Sequence, residues 1–130
     1  MSTTAAISFM ERTDFIKTAI VNFDGYPSNT GRMLKEHYTN SDKVRDLLEG
    51  GDFRSMEEEL DDIEYYGALS DRMTSSNSLH EAVNQVSCSA DYHYVFDGET
   101  WSMVDGDKVD AFGFPAYVLL DDAIEKDMTR

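Results

Sequence analysis

The chain has 130 residues, 41% of them hydrophobic and 12% aromatic, with a formal net charge of −15. That length suits one domain, 1–130, with its own core and is too short for two, and the apolar content argues against an acidic disordered chain. The charge argues against direct binding to nucleic acid or to an anionic membrane, because either needs a positive footprint.

Taken in chain order, Ala5 to Met10 and Phe15 to Phe23 read as two strands joined by a polar turn, the second rich in β-branched and aromatic residues. Asp24-Gly25 breaks the second strand, since glycine accepts backbone angles that other residues resist. Pro27-Ser28-Asn29 offers helix-start chemistry, and Met33, Leu34 and Tyr38 give that helix an apolar stripe. Asn40-Ser41-Asp42 starts a second helix with Val44, Leu47 and Leu48 at i, i+3 and i+4, ended by Gly50-Gly51. Ser55 with Glu58 three residues on fits a capping box for a third helix, whose apolar positions are Met56, Leu60 and Ile63. Ala68 to Asn77 reads as a loop, and Ser78 with Glu81 opens a fourth helix. Tyr92 to Phe96, Asp97-Gly98 and Thr100 to Val104 form a strand, tight turn and strand. Residues 105–114 are ambiguous. Pro115 opens either a last helix or a strand through Leu120. The expected fold is α+β, an antiparallel sheet of two β-hairpins with helices packed on one face.

Cys88 is the single cysteine, so no intramolecular disulfide forms, which fits a reducing cytosol. No apolar run approaches the ~20 residues of a membrane span, and Met1 to Ala6 lacks a signal-peptide layout. The expected location is the cytosol.

Charge is distributed unevenly. Met1 to Leu48 is neutral, Glu49 to Asp71 carries −8 and Arg72 to Arg130 carries −7. The densest run is Glu57, Glu58, Glu59, Asp61, Asp62 and Glu64, six carboxylates in eight residues. On an α-helix that is one charge per ~2 Å of axis, close to the ~1.7 Å of duplex DNA, with like charges crowded at i and i+4. Two readings of the run stand side by side, a solvated helix face and a surface for a basic partner. Tyr65 and Tyr66 follow it as candidate anchors, since tyrosine gives interfaces large contact area with a polar tip.

Other constellations are weaker. Asp105 to Asp110 lacks the later glycine and the position-12 glutamate of a calcium loop. His37, His80, His93 and Cys88 show no zinc spacing, and Gly50-Gly51 is not followed by the Lys-Ser/Thr of a phosphate loop. No cofactor, metal or catalytic residue is expected.

Phe23-Asp24-Gly25-Tyr26-Pro27, then Gly31, Leu34, His37-Tyr38, Val44, Leu47-Leu48 and Gly51-Asp52, with Tyr92 to Trp101 later, form a recognisable cadence. It resembles a group of small uncharacterised proteins of tailed bacteriophages and prophages, across about Ser2 to Arg54 and Glu81 to Val104. Phe23 stands where that group usually has Trp, Thr4 where Arg is common, and Gly51 to Ser55 fits only in part. The resemblance implies a phage origin and no catalytic residue. Together with the charge, it leads to a non-enzymatic, phage-encoded protein acting in the host cytosol. The expected role is to bind and inhibit a basic, nucleic-acid-binding host protein by imitating phosphate. The alternative is a structural, assembly or interaction protein of the phage, and a homodimer is compatible with either.

Overall fold

The computed structural model describes residues 3–12, 15–65, 74–76, 91–109 and 115–128. The strands are β1 (Ala5–Arg12), β2 (Phe15–Phe23), β3 (Phe53–Ser55), β4 (Thr74–Ser76), β5 (Tyr92–Phe96), β6 (Trp101–Val109) and β7 (Pro115–Leu119). The helices are α1 (Arg32–His37), α2 (Ser41–Glu49) and α3 (Leu120–Met128), with a π-helical segment at Pro27–Gly31 and a 3-10 turn at Leu60–Asp62.

The fold is α+β, and its sheet is mixed, in the order β3-β2-β1-β5-β6-β7 with β4 on β2. β1 pairs antiparallel with β2, and β5 with β6. The purely antiparallel sheet expected from the sequence is corrected at two joins, because β1 runs parallel to β5 and β2 parallel to β3. Chain connectivity explains the second join. After β2 the chain passes through α1 and α2 before β3, and a connection of that length permits the crossover that a parallel pair requires.

Alternation along the strands separates two buried faces. Ala5, Ile7 and Phe9 of β1, Ala19 and Val21 of β2, and Tyr94 and Phe96 of β5 form one face. They pack with Leu34 and Tyr38, with Val44, Leu47 and Leu48 of α2, and with Leu120, Ala123 and Ile124 of α3 in a single cluster. α2 forms as the sequence indicates, with Asn40 Oδ1 accepting from the Lys43 N–H at 2.8 Å.

The opposite face carries Ala6, Ser8, Ile16, Thr18, His93 and Val95, all buried as well. Its polar members bond one another across three strands. Ser8 Oγ lies 2.7 Å from Thr18 Oγ1 and 2.6 Å from His93 Nε2.

Residues 56–64 do not form the third helix suggested by the capping box. Ser55 ends β3 instead, only a 3-10 turn forms at Leu60–Asp62, and Phe53 bridges antiparallel to Tyr65. Met56 and Ile63 are still buried, so the apolar pattern is used, but from an irregular chain. Like charges one helical turn apart oppose an α-helix here, and Phe53 gains sheet pairing in its place. The last region resolves into both proposed elements in succession, strand β7 and then helix α3.

Candidate functional site

β2 and β3 run parallel and end side by side, with Phe23 opposite Ser55. Beyond those ends the chain makes two different structures, the Asp24-Gly25 turn and the acidic segment 57–64. Asp24 has φ 55, a left-handed conformation that aspartate tolerates better than most residues. Its carbonyl accepts from Asn29 Nδ2 and Thr30 Oγ1, each at 2.8 Å. Gly25 donates its N–H to the Thr3 carbonyl at 2.8 Å. A Cβ on Gly25 would come within 2.8 Å of Ala5 Cβ and 2.9 Å of the Thr3 carbonyl oxygen. Only glycine lets the turn lie that close to β1.

The acidic segment is fixed from below by two tyrosines. Tyr38 is fully buried and donates its hydroxyl to the Glu57 carbonyl at 2.8 Å. Burial pushes its pKa upward, and the negative charges of Tyr65, Glu59, Glu57 and Asp62 push it further. Tyr65 donates to the Leu47 carbonyl at 2.6 Å, and its ring meets Phe53 edge-on at 5.6 Å. Burial, with Asp46 adding, pushes its pKa up to about 12. The ring and hydroxyl of Tyr65 are therefore engaged within the fold, where they brace the end of the segment. Tyr66 lies outside the described residues, as do His80 and Cys88.

Glu57, Glu58, Glu59, Asp61, Asp62 and Glu64 are all exposed. Glu58 Oε1 lies 3.8 Å from His37 Nε2, and Glu64 Oε2 lies 3.4 Å from Arg54 Nη1. Among the described residues, Glu57, Glu59, Asp61 and Asp62 have no basic group within 4 Å. Arg54 was not foreseen as a neighbour of the run. Among the described residues no group of three or more Asp, Glu, His or Cys side chains is placed to hold a metal ion.

A hollow of about 390 Å³ opens at this corner. Asp24, Glu57, Asp62 and Glu64 line it together with Phe23, Arg54 and Ser55. Phe23 is 42% exposed, and the Arg54 guanidinium sits 5.6 Å from its ring centre. Sequence reading missed Asp24, Phe23 and Arg54 because it placed the acids on a helix remote from the β2 turn. The signal available was an aromatic residue at a strand end directly before Asp-Gly.

The acids extend across α1. His37 lies between Glu58 and Glu36, at 3.8 and 4.0 Å, and the neighbouring Lys35 Nζ is 2.6 Å from Asp121 Oδ1 at the start of α3. Asp122 and Glu125 of α3 are exposed, whereas Asp127 Oδ2 accepts from the Ser28 N–H at 2.9 Å. Carboxylates of the segment and of α3 thus approach α1 from two sides, where His37 and Lys35 stand between them.

The Ser8–Thr18–His93 trio is a different kind of polar group. Burial lowers the His93 pKa to about 4, so the ring is neutral at pH 7, and His93 Nδ1 has no hydrogen-bond partner among the described residues. Ser8 is 0% exposed, which denies a substrate access to its hydroxyl. The trio ties β1, β2 and β5 together.

Most residues of the cadence that runs from Phe23 to Asp52 and returns at Tyr92 to Trp101 belong to the frame. Gly25 closes the turn, Pro27 is buried, Leu34, Val44, Leu47 and Leu48 lie in the core, and Tyr38 holds the acidic segment. Trp101 Nε1 donates to the Tyr38 carbonyl at 2.8 Å. Comparison of the chain with protein-family models, curated proteins and solved structures finds no match.

Proposed function

We propose that this is a non-catalytic accessory protein of phage type that binds and inhibits a nucleic-acid-binding host protein, its acidic surface standing in for phosphate. The observation that carries the reading is the outward array of Glu57, Glu58, Glu59, Asp61, Asp62 and Glu64, four of them without a cation among the described residues. Leaving like charges crowded and unpaired is unfavourable for an isolated protein, and a basic partner relieves it.

The segment is not an α-helix, which changes the form of mimicry. Glu59 and Ile63 flank the 3-10 turn in extended conformations, where a residue advances up to ~3.3 Å. The carboxylates therefore do not follow the even ~1.5 Å rise per residue of a continuous α-helix. The resemblance of the sequence to small phage proteins supports this reading, since a host cytosol is rich in basic nucleic-acid-binding targets.

The test is capture from bacterial lysate on the immobilised protein at low salt, with elution by a short DNA duplex. The expected eluate is a nucleic-acid-binding protein that also leaves as salt rises. Capture of nothing basic, or retention of the captured protein against both DNA and salt, contradicts the proposal.

A further inference from the structure

The hollow beside the acidic segment already holds one cation against an accessible aromatic ring, the protein's own Arg54. The backbone on both sides is anchored. Phe23 ends β2 opposite Ser55 of β3, and the Arg54 N–H donates to the Glu64 carbonyl at 3.0 Å. The Phe23 ring nevertheless stays 42% exposed, so a partner can reach it.

The Arg54 guanidinium, by contrast, is loosely held. It lies 5.6 Å from the Phe23 ring centre and 3.4 Å from Glu64 Oε2, and the two side chains of that ion pair are 60% and 71% exposed. An exposed pair of this kind contributes little to stability, so the side chain can leave at little cost to the fold.

The place it vacates selects a replacement. Asp24, Glu57, Asp62 and Glu64 line the hollow, and Arg54 is the one cation of that lining among the described residues. A guest is therefore positive. The exposed ring narrows the choice further, because a guanidinium is planar, weakly hydrated and stacks on aromatic faces, whereas an ammonium is a compact, strongly hydrated point charge. Arg54 on Phe23 displays the contact such a guest makes.

We infer that Arg54 is an internal stand-in for an arginine of the partner, which displaces it from Phe23 and makes the acidic surface prefer arginine to lysine. The inference rests on the proposed function for the partner's positive charge, and on Phe23 and Arg54 for the choice of side chain. Carboxylates alone attract either cation according to its charge.

Calorimetry at low salt compares two peptides of equal charge, tetra-arginine and tetra-lysine. The unaltered chain is expected to bind tetra-arginine several-fold more tightly, a result that needs no variant to fold. Phe23→Leu removes the ring at an exposed position and is expected to bring tetra-arginine down to the affinity of tetra-lysine, which stays the same. Arg54→Lys keeps the net charge but gives up the stacked guanidinium, and is expected to tighten tetra-arginine several-fold with tetra-lysine again unaltered. Equal affinities of the unaltered chain for the two peptides, a preference that survives Phe23→Leu, or indifference of tetra-arginine to Arg54→Lys overturns the inference and leaves the acidic-surface reading standing. Absence of binding heat for both peptides overturns both.

Discussion

The Asp24-Gly25 turn and the acidic segment 57–64 border the same hollow, yet they are built in opposite ways. In the turn, the backbone groups of Asp24 and Gly25 are bonded and there is no room for a methyl group. Tyr94, fully buried, adds a hydroxyl bond to the Gly25 carbonyl at 2.6 Å. In the segment, the Tyr38 hydroxyl holds the Glu57 carbonyl, the Tyr65 side chain ties the far end to the Leu47 carbonyl, and Met56 and Ile63 are buried, while the charged side chains are exposed. The difference separates a frame, where sequence is dictated by packing, from a surface, where folding leaves side-chain identity free. Function can be read only from what folding does not already explain, and in this corner that is the carboxylates.

The contrast predicts a ranked series of effects on stability. The largest belongs to Gly25→Ala, which drives a methyl against Ala5 Cβ at 2.8 Å and against the Ala5 nitrogen and Thr3 carbonyl oxygen at 2.9 Å and is expected to cost about 3 kcal/mol in chemical denaturation. A cost below about 1 kcal/mol would show that the turn can shift, and would blur the division.

Next comes the buried polar trio. The His93 pKa falls from 6.5 to about 4 in the folded protein, so the unfolded chain takes up its proton first as pH drops. Its contribution is complete above pH 6.5 and is lost between there and about 4, a change of roughly 3 kcal/mol. His93→Gln should lower stability at pH 8 yet flatten the decline across that window. Parallel wild-type and variant curves would remove His93 from the frame's pH response.

Tyr94→Phe leaves the buried Gly25 carbonyl without its hydroxyl donor and is expected to cost about 2 kcal/mol. Tyr38→Phe releases Glu57 at the margin of the segment, where water can replace the donor, for about 1 kcal/mol. Thermal denaturation of the pair checks the order. A larger loss for Tyr38→Phe would mean that the segment is part of the frame.

The smallest effect on folding belongs to the carboxylates themselves. Converting Glu57, Glu59, Asp61 and Asp62 to their amides should leave the melting temperature unchanged or slightly raised, with any gain shrinking as salt screens the repulsion. A marked destabilisation would assign these side chains a structural role.

Much of the frame was legible in the sequence. Asn40 with Val44, Leu47 and Leu48 specifies α2 through one cap and one apolar stripe, both local signals. The alternation Tyr92-His93-Tyr94-Val95-Phe96 correctly separates the face of Tyr94 and Phe96 from that of His93 and Val95. What was not legible depends on distant partners. Nothing near Ala5 announces that β1 pairs parallel with β5, because that register is set by residues more than eighty positions away. Ser55, Met56, Glu58, Leu60 and Ile63 carry a complete helix signature, yet β3 pairing and carboxylate crowding prevail over it. The exposed acids were legible as residues but not as geometry, so the hollow with Phe23, Asp24 and Arg54 emerged only from the fold.

The central claim, that the acidic segment is a binding surface separable from the frame, is tested most directly by the affinity of one captured partner for two chains. These are the wild type and the variant with Glu57, Glu59, Asp61 and Asp62 converted to amides, measured across a salt series with competing DNA. The account predicts an unchanged fold, a large loss of affinity and a shallower salt dependence for the variant, with DNA displacing the wild-type chain. Equal affinity and equal salt slope for the two chains would contradict it.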